Sequence, residues 1–496
     1  MADDTPRKLT SRIARQGAIL FAGFGLAQAL SFARNAILAH WLSKGDFGVA
    51  AAILLLLQMI ETLSDIGADR LIVQAADGDD ERFIATAQTA LLVRGVLTFL
   101  IILLAAEPMA RFFGASGAAW AFAAAGIAPL IKGLLHLDAR RAQRRLDNRP
   151  QMLIEAVPQA IALLSVPVVL TLDASFGAVV WIALIQSVAA VVTSHAIAQR
   201  RYALSLDRDY MRRLLAFGWP IWASAFPLVA VYQGDRMAVG HLAGLEALAG
   251  FTAAFMVTMV PGLLAAKIAN ALMLPLLSRA ATSEAAFARQ FLMMVELTAL
   301  AAVAYLMAFI VAGDKLVALA FGDKYAGLGT VVSLLALMWS MRMLQATLGV
   351  ALMAHGITRP FLIAGIIRSS GVAFAVAALV AGYGVAGAAA AGAFAELLSL
   401  VYVAWRLDQL HRKAGALRLG RAALARSWLV VAGGIAAVLT VRSSGDLRLP
   451  AQVALLCGLI AACAFVSALV MPGLRGLLRS MLRGEDAPAR SAPHLG

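Results

Sequence analysis

Charge is what this chain has least of. Asp, Glu, Lys and Arg make up 14% of its 496 residues, 61% are hydrophobic, and mean hydropathy is +0.83. Soluble domains carry about a quarter charged residues, so this composition excludes a water-soluble fold and is that of a polytopic membrane protein. Cysteine is almost missing as well. Cys457 and Cys463 share one apolar run, where a helix puts them on different faces; they read as core fillers rather than a disulfide or metal pair. The seven histidines show no metal-binding spacing, and no G-x-x-x-x-G-K-[ST] loop occurs, which argues against a metal site and an ATP-driven pump. No outer loop is long enough for a glycosyl-transfer site. The chain reads as no enzyme and as needing no cofactor.

What is there is a succession of apolar runs, each near the roughly 20 residues that a helix needs to cross a bilayer. They fall near 15–40, 47–67, 83–105, 118–137, 151–171, 176–198, 214–234, 247–275, 291–312, 328–354, 361–381, 385–405, 427–441 and 450–471. That makes about fourteen spans by hydropathy. The basic lead MADDTPRKLTSRIAR precedes a run too long for a signal-peptide core, so the first span is read as uncleaved. The net charge of +14 would suggest nucleic acid in a soluble protein. Here about 29 of the Lys and Arg fall in alternate loops and the tail, which makes those segments and both termini cytoplasmic and excludes a nucleic-acid partner.

Phe32–Gln74 holds the most informative pattern. An apolar run carrying Arg34 turns through Ser43-Lys44-Gly45-Asp46 into a second run ending Asp65-Ile66-Gly67, a transmembrane hairpin. At an offset of 202, Arg34 aligns with Arg236, Gly48 with Gly250, and Ala51-Ala52 with Ala253-Ala254. Parallel repeats of this kind are a transporter architecture. They suggest six-helix lobes over residues 1–200 and 201–410, a terminal helix pair over 411–475 and a cytoplasmic tail over 476–496.

Arg34-Asn35-Ala36-Ile37-Leu38-Ala39, Leu42-Ser43, Asp46-Phe47-Gly48, Asp65-Ile66-Gly67 and Ile72-Val73-Gln74 resemble the opening of Wzx-type polysaccharide flippases. So do Asp235-Arg236-Met237-Ala238-Val239-Gly240, Leu248-Ala249-Gly250-Phe251, Pro261 and Pro275-Leu276-Leu277-Ser278-Arg279 in the second half. Such flippases belong to the multidrug/oligosaccharidyl-lipid/polysaccharide exporter superfamily. The resemblance implies an all-α integral membrane fold, two six-helix lobes in a V around a central cavity plus a C-terminal helix pair. It implies a bacterial inner membrane protein that flips undecaprenyl-pyrophosphate-linked oligosaccharides by alternating access, for lipopolysaccharide or exopolysaccharide export. The implied partners are the lipid-linked substrate, membrane lipids, and polymerase and chain-length proteins of the same pathway. Other readings are a cation-coupled multidrug exporter or a peptidoglycan-precursor flippase of the same superfamily, and, more remotely, a membrane glycosyltransferase or ligase.

Cations inside apolar runs carry the functional reading, because each costs about 2.5–3.5 kcal/mol at the bilayer centre and must face protein or water. Arg34, Arg94, Arg236, Lys267, Arg342 and Arg368 are the candidates to line a cationic cavity, since a guanidinium fork binds phosphate oxygens in pairs. Snorkelling is the bland alternative for Arg34 and for Lys132, and a structural acid for Arg94. A structural pair with Glu396 is as good a reading for Arg342 and Arg368. Glu396 and Asp235 are the candidate coupling or structural acids; Glu61, Asp65, Glu155 and Glu296 lie near cytoplasmic ends, where interfacial roles suffice.

Overall fold

The computed structural model describes residues 6–280, 283–410 and 419–444, with scattered positions between 451 and 471. All the regular elements among these residues are helical. Eleven of the described helical segments are long and apolar enough to cross a membrane, and the protein is a multi-pass integral membrane protein. Lipid cannot satisfy an open backbone, so helices with internal hydrogen bonds are what such a composition must form.

The first compact unit comprises Met1–Met256 with Ala320–Tyr325 and Leu379–Val385. Its long helices are α1 (Pro6–Trp41), α2 (Lys44–Leu63), α4 (Glu81–Phe112), α8 (Arg149–Leu172), α9 (Gly177–Ala196) and α10 (Arg208–Val229). Short helices α3 (Ala68–Gln74), α5 (Ala119–Ala125), α6 (Ile127–Lys132) and α7 (Asp138–Arg144) lie between them, and α11 (Asp235–Leu242) follows a π turn over Ala230–Gly234. The span expected over 118–137 is therefore two short helices meeting at Gly126, whose missing side chain leaves room for Ile102.

Local chemistry starts these helices where the chain must turn. Ser43 caps α2 by accepting from the Asp46 N–H at 3.0 Å. Asp80 caps α4 through the Arg82 and Phe83 N–H groups at 2.8 and 3.0 Å, and Asp207 does the same for α10. Small residues then bring the helices close: α1 packs on α8 and α8 on α9, while Gly95 on α4 faces Gly133 at the end of α6. One core gathers Ile53, Leu56 and Phe122, and a second gathers Ile72, Phe83 and Leu214.

The second compact unit comprises Val257–Leu319, Ala326–Ala378 and Ala386–Gly496. It contains most of α12 (Leu245–Ala280) and α13 (Glu284–Phe321), then α14 (Gly329–Ala354), α15 (Arg359–Ser369), α16 (Gly371–Val380), α17 (Gly384–Leu410), α18 (Leu419–Arg426) and α19 (Trp428–Ser444). Helix α12 runs on past Pro261 and Pro275, whereas the span expected over 361–381 breaks at Ser370. Gly433 and Gly434 set α19 against Val303 and Leu306 of α13, and the buried Glu296 accepts from Arg426 Nε at 2.7 Å. Contact thus divides the chain at Met256, later than the boundary at 200 that the repeat suggests, because α10 packs on α2, α3 and α4. The last expected span and the tail lie largely outside the described residues.

Candidate functional sites: buried guanidinium groups

Arg34 lies on α1 and is 9% exposed. Its Nη1 donates to Gln159 Oε1 of α8 at 3.1 Å and to Gln186 Oε1 of α9, and its Nη2 donates to Ser31 Oγ at 3.3 Å. All three partners are neutral. Among the described residues no carboxylate makes an ion pair with this guanidinium. Amide oxygens satisfy N–H groups but supply no compensating charge. A full positive charge is therefore held inside the first unit, in a fixed orientation.

Arg236, its counterpart in the repeat, is also buried, on α11. The π turn just before it shifts the backbone register, and Arg236 Nη2 donates to the Tyr232 carbonyl. Its guanidinium lies 4.6 Å from the centre of the Phe255 ring, a cation–π contact, and the Asp235 carboxylate accepts from the Arg236 backbone N–H at 2.7 Å. The helix passes through Pro220 and Pro227, and the irregularity of this span falls at the π turn.

In the second unit, Arg342 of α14, Arg368 of α15 and Glu396 of α17 converge. Glu396 Oε1 accepts from Arg342 Nε at 2.8 Å, from Arg342 Nη2, and from Arg368 Nε at 2.9 Å. Trp339 covers Arg342 with its ring centre 4.5 Å away. Two guanidinium groups share one carboxylate, so this cluster carries a net positive charge.

Arg94 of α4 is held differently. Nε donates to Ser64 Oγ at 3.2 Å, and Nη1 stands 4.0 Å from Asp65 Oδ1. It lines a cavity of about 490 Å³ in the first unit, together with Glu61, Asp65, Asp69, Arg70 and Arg140. Lys132 reaches Glu61 Oε1 at 2.6 Å, so its charge has a partner beyond what snorkelling requires. Lys267 is on α12, but its side chain lies outside the described residues.

The structure thus brings Arg342, Arg368 and Glu396 together and gives Arg34, Arg94 and Arg236 three separate surroundings in the first unit. Gln159 and Gln186 were missed from the sequence. Their signal was there: two amides inside apolar runs need a polar partner in the bundle. Among the described residues no group of three or more His, Cys, Asp or Glu side chains could hold a metal ion.

Comparison with solved structures finds the same fold in transporters. The lipid II flippase MurJ, in an inward closed conformation, aligns with a TM-score of 0.71 over 93% of this chain and 100% of its own, at 12% identity. An inward-facing multidrug resistance MATE family transporter of the MOP superfamily aligns with a TM-score of 0.66 over 78% of this chain and 96% of its own, at 16% identity. A MOP superfamily transporter from Pyrococcus furiosus, described as having a binding pocket of reversed polarity, aligns with a TM-score of 0.53 over 81% of this chain and 96% of its own, at 18% identity. A comparison with curated sequences returned no match. At these identities the likeness speaks for the fold. The family follows from the sequence itself: the profile described as "Polysaccharide biosynthesis protein" matches residues 37–330, more than half of the chain, a stretch that begins just after Arg34 and takes in Arg236, and the chain belongs to that family.

Proposed function

We propose that the protein flips undecaprenyl-pyrophosphate-linked oligosaccharide repeat units across the bacterial inner membrane for polysaccharide export, by alternating access. The observation that carries this reading is Arg34: a buried guanidinium whose partners within the described residues, Gln159, Gln186 and Ser31, are all neutral. Keeping such a charge in a membrane costs free energy that an anionic cargo would offset as it passes. The amides hold the fork in place without neutralising it, which leaves its charge for phosphate oxygens. Arg236 and the net charge of the Arg342–Arg368–Glu396 cluster extend the same chemistry. Family membership supports a role in polysaccharide biosynthesis, and the fold supports transport.

Export of cationic drugs fits less well. Two of the buried carboxylates that could serve a cationic drug are already engaged, Glu296 with Arg426 and Glu396 with two arginines.

The test is polymer export in cells lacking the chromosomal copy, complemented with Arg34→Ala or Arg34→Lys at matched membrane abundance. Arg34→Ala should lower export about tenfold or more, as expected for loss of one charge-assisted fork, and Arg34→Lys should retain part of it. Wild-type export by Arg34→Ala would overturn the proposal.

A further inference from the structure

The cavity beside Arg94 has a chemistry of its own. At about 490 Å³ it falls within the range of small-molecule sites, about 300–1,000 Å³. Its lining includes the apolar side chains Leu91, Ile154 and Leu228. It also includes three carboxylates, Glu61, Asp65 and Asp69, and three guanidinium groups, Arg70, Arg94 and Arg140.

The pairing among them is uneven. Asp69 has Arg140 at 3.1 Å and Glu61 has Lys132 at 2.6 Å. Asp65 is shared: Arg70 Nη2 lies 3.0 Å from Oδ2, and Arg94 Nη1 lies 4.0 Å from Oδ1. Two guanidinium groups therefore converge on one carboxylate, and with Lys132 four cations face three acids. The Arg94 and Asp65 side chains are 28% and 30% exposed, so the contact is open to water. Wet ion pairs contribute little and exchange readily, whereas a guanidinium binds phosphate through paired charge-assisted hydrogen bonds. Asp65 does not need the arginines to keep its place. Its Oδ1 accepts from the Gly67 N–H at 2.9 Å, closing a turn over Gly67, whose φ is +63°.

We infer that this cavity is a receiving site for a diphosphate, with Asp65 as a stand-in anion that the incoming phosphates displace from Arg70 and Arg94. The inference rests on the proposed translocation of diphosphate-linked cargo. The distribution of basic loops puts this end of α2 and α4 on the cytoplasmic side, where that cargo would be loaded. Leu91, Ile154 and Leu228 line the same cavity and suit the part of the ligand that is not charged.

Purified protein in nanodiscs should be titrated with inorganic pyrophosphate and with geranylgeranyl diphosphate, by calorimetry at low salt. Arg70→Ala/Arg94→Ala should weaken binding about tenfold or more, and Asp65→Asn should tighten it about tenfold, because Asn keeps the turn to Gly67 and removes the competing charge. Asp65→Asn also keeps the test decisive if the double variant does not fold. Whichever ligand binds more tightly identifies the source, a free diphosphate or a lipid headgroup. The inference falls if neither ligand binds, if the double variant binds as wild type, or if Asp65→Asn binds no tighter. Export by Arg34→Ala, measured separately, distinguishes this failure from failure of the translocation reading: loss of export with unaffected diphosphate binding in the double variant sinks only the cavity.

Discussion

Glu396 holds two arginines with one oxygen, and the energetics of that arrangement are lopsided. Removing one cation leaves an ion pair, whereas removing the acid leaves two buried guanidinium groups side by side. Breaking a buried pair from one side costs about 3–5 kcal/mol. Glu396→Ala should therefore lower the thermal unfolding midpoint in detergent far more than Arg368→Ala, and Arg368→Ala/Glu396→Ala should recover part of the loss. Equal shifts for the two single variants would show that the cluster does not act as a unit. At this scale the sequence supplied the residue types and little else. Arg342, Arg368 and Glu396 stand out because charge inside an apolar run is costly, yet nothing in their spacing says that one carboxylate serves both arginines. Nor does the sequence show that Arg34 meets amides on α8 and α9, more than a hundred residues further along the chain.

Among the elements, the α2 hairpin was the most legible, because Ser43, Gly45 and Asp46 form a turn and cap from nearest-neighbour chemistry alone. Gly48 has a tertiary reason. A Cβ there would lie 2.2 Å from the Leu245 carbonyl oxygen at the start of α12, so the two helix ends approach through a missing side chain. Gly48→Ala should destabilise the protein by about 1–3 kcal/mol, the usual cost of overpacking. Gly25→Ala, which meets nothing within 4 Å, should be neutral or slightly stabilising in the same melting assay. The segment between α3 and α4 is a second such case. Arg144 donates to the carbonyls of Ile72, Val73, Ala75 and Ala76, and Arg213 holds both oxygens of Asp77 at 2.9 and 2.7 Å. The hydrogen bond from Arg213 keeps the Asp77 carboxyl below its ordinary value of 3.8. A depressed carboxylate stabilises the fold above its ordinary pKa, and that contribution is lost as pH falls through the lower folded value. The protection of this segment against hydrogen exchange, taken relative to the intrinsic rate at each pH, should therefore fall below about pH 3.8, and Asp77→Asn should remove that part of the acid response. The pair is well exposed, so the effect is local rather than global.

For the molecule as a whole, orientation is the statement that loop charges make most directly. With both termini cytoplasmic, a maleimide that cannot cross the membrane should label Ala174→Cys from outside and leave Ala203→Cys unlabelled until the cells are opened, in a background with Cys457 and Cys463 replaced by Ser. The reverse pattern would invert the topology and put the cavity beside Arg94 on the wrong face for loading. The membrane location and the helical class were legible because a bilayer imposes one rule, some 20 apolar residues per crossing, that can be read without knowing any contact, whereas the family was legible from the residues around Arg34 and Arg236. Breaks in the spans were less legible. The chain stays helical through Pro261 and gives way at Gly126, at Ser370 just before Gly371, and in the π turn at Ala230.

By itself, then, the order of residues determined that this chain lives in a membrane, that it crosses many times, and which charges it keeps there at a cost, since all three depend on transfer from water and not on neighbours. The tertiary structure alone decided which of those charges are neutralised. Arg34 is left with amides, Arg342 and Arg368 share Glu396, and Arg94 borders an open cavity, because Coulomb interactions act across a few ångströms of space and take no account of distance along the chain.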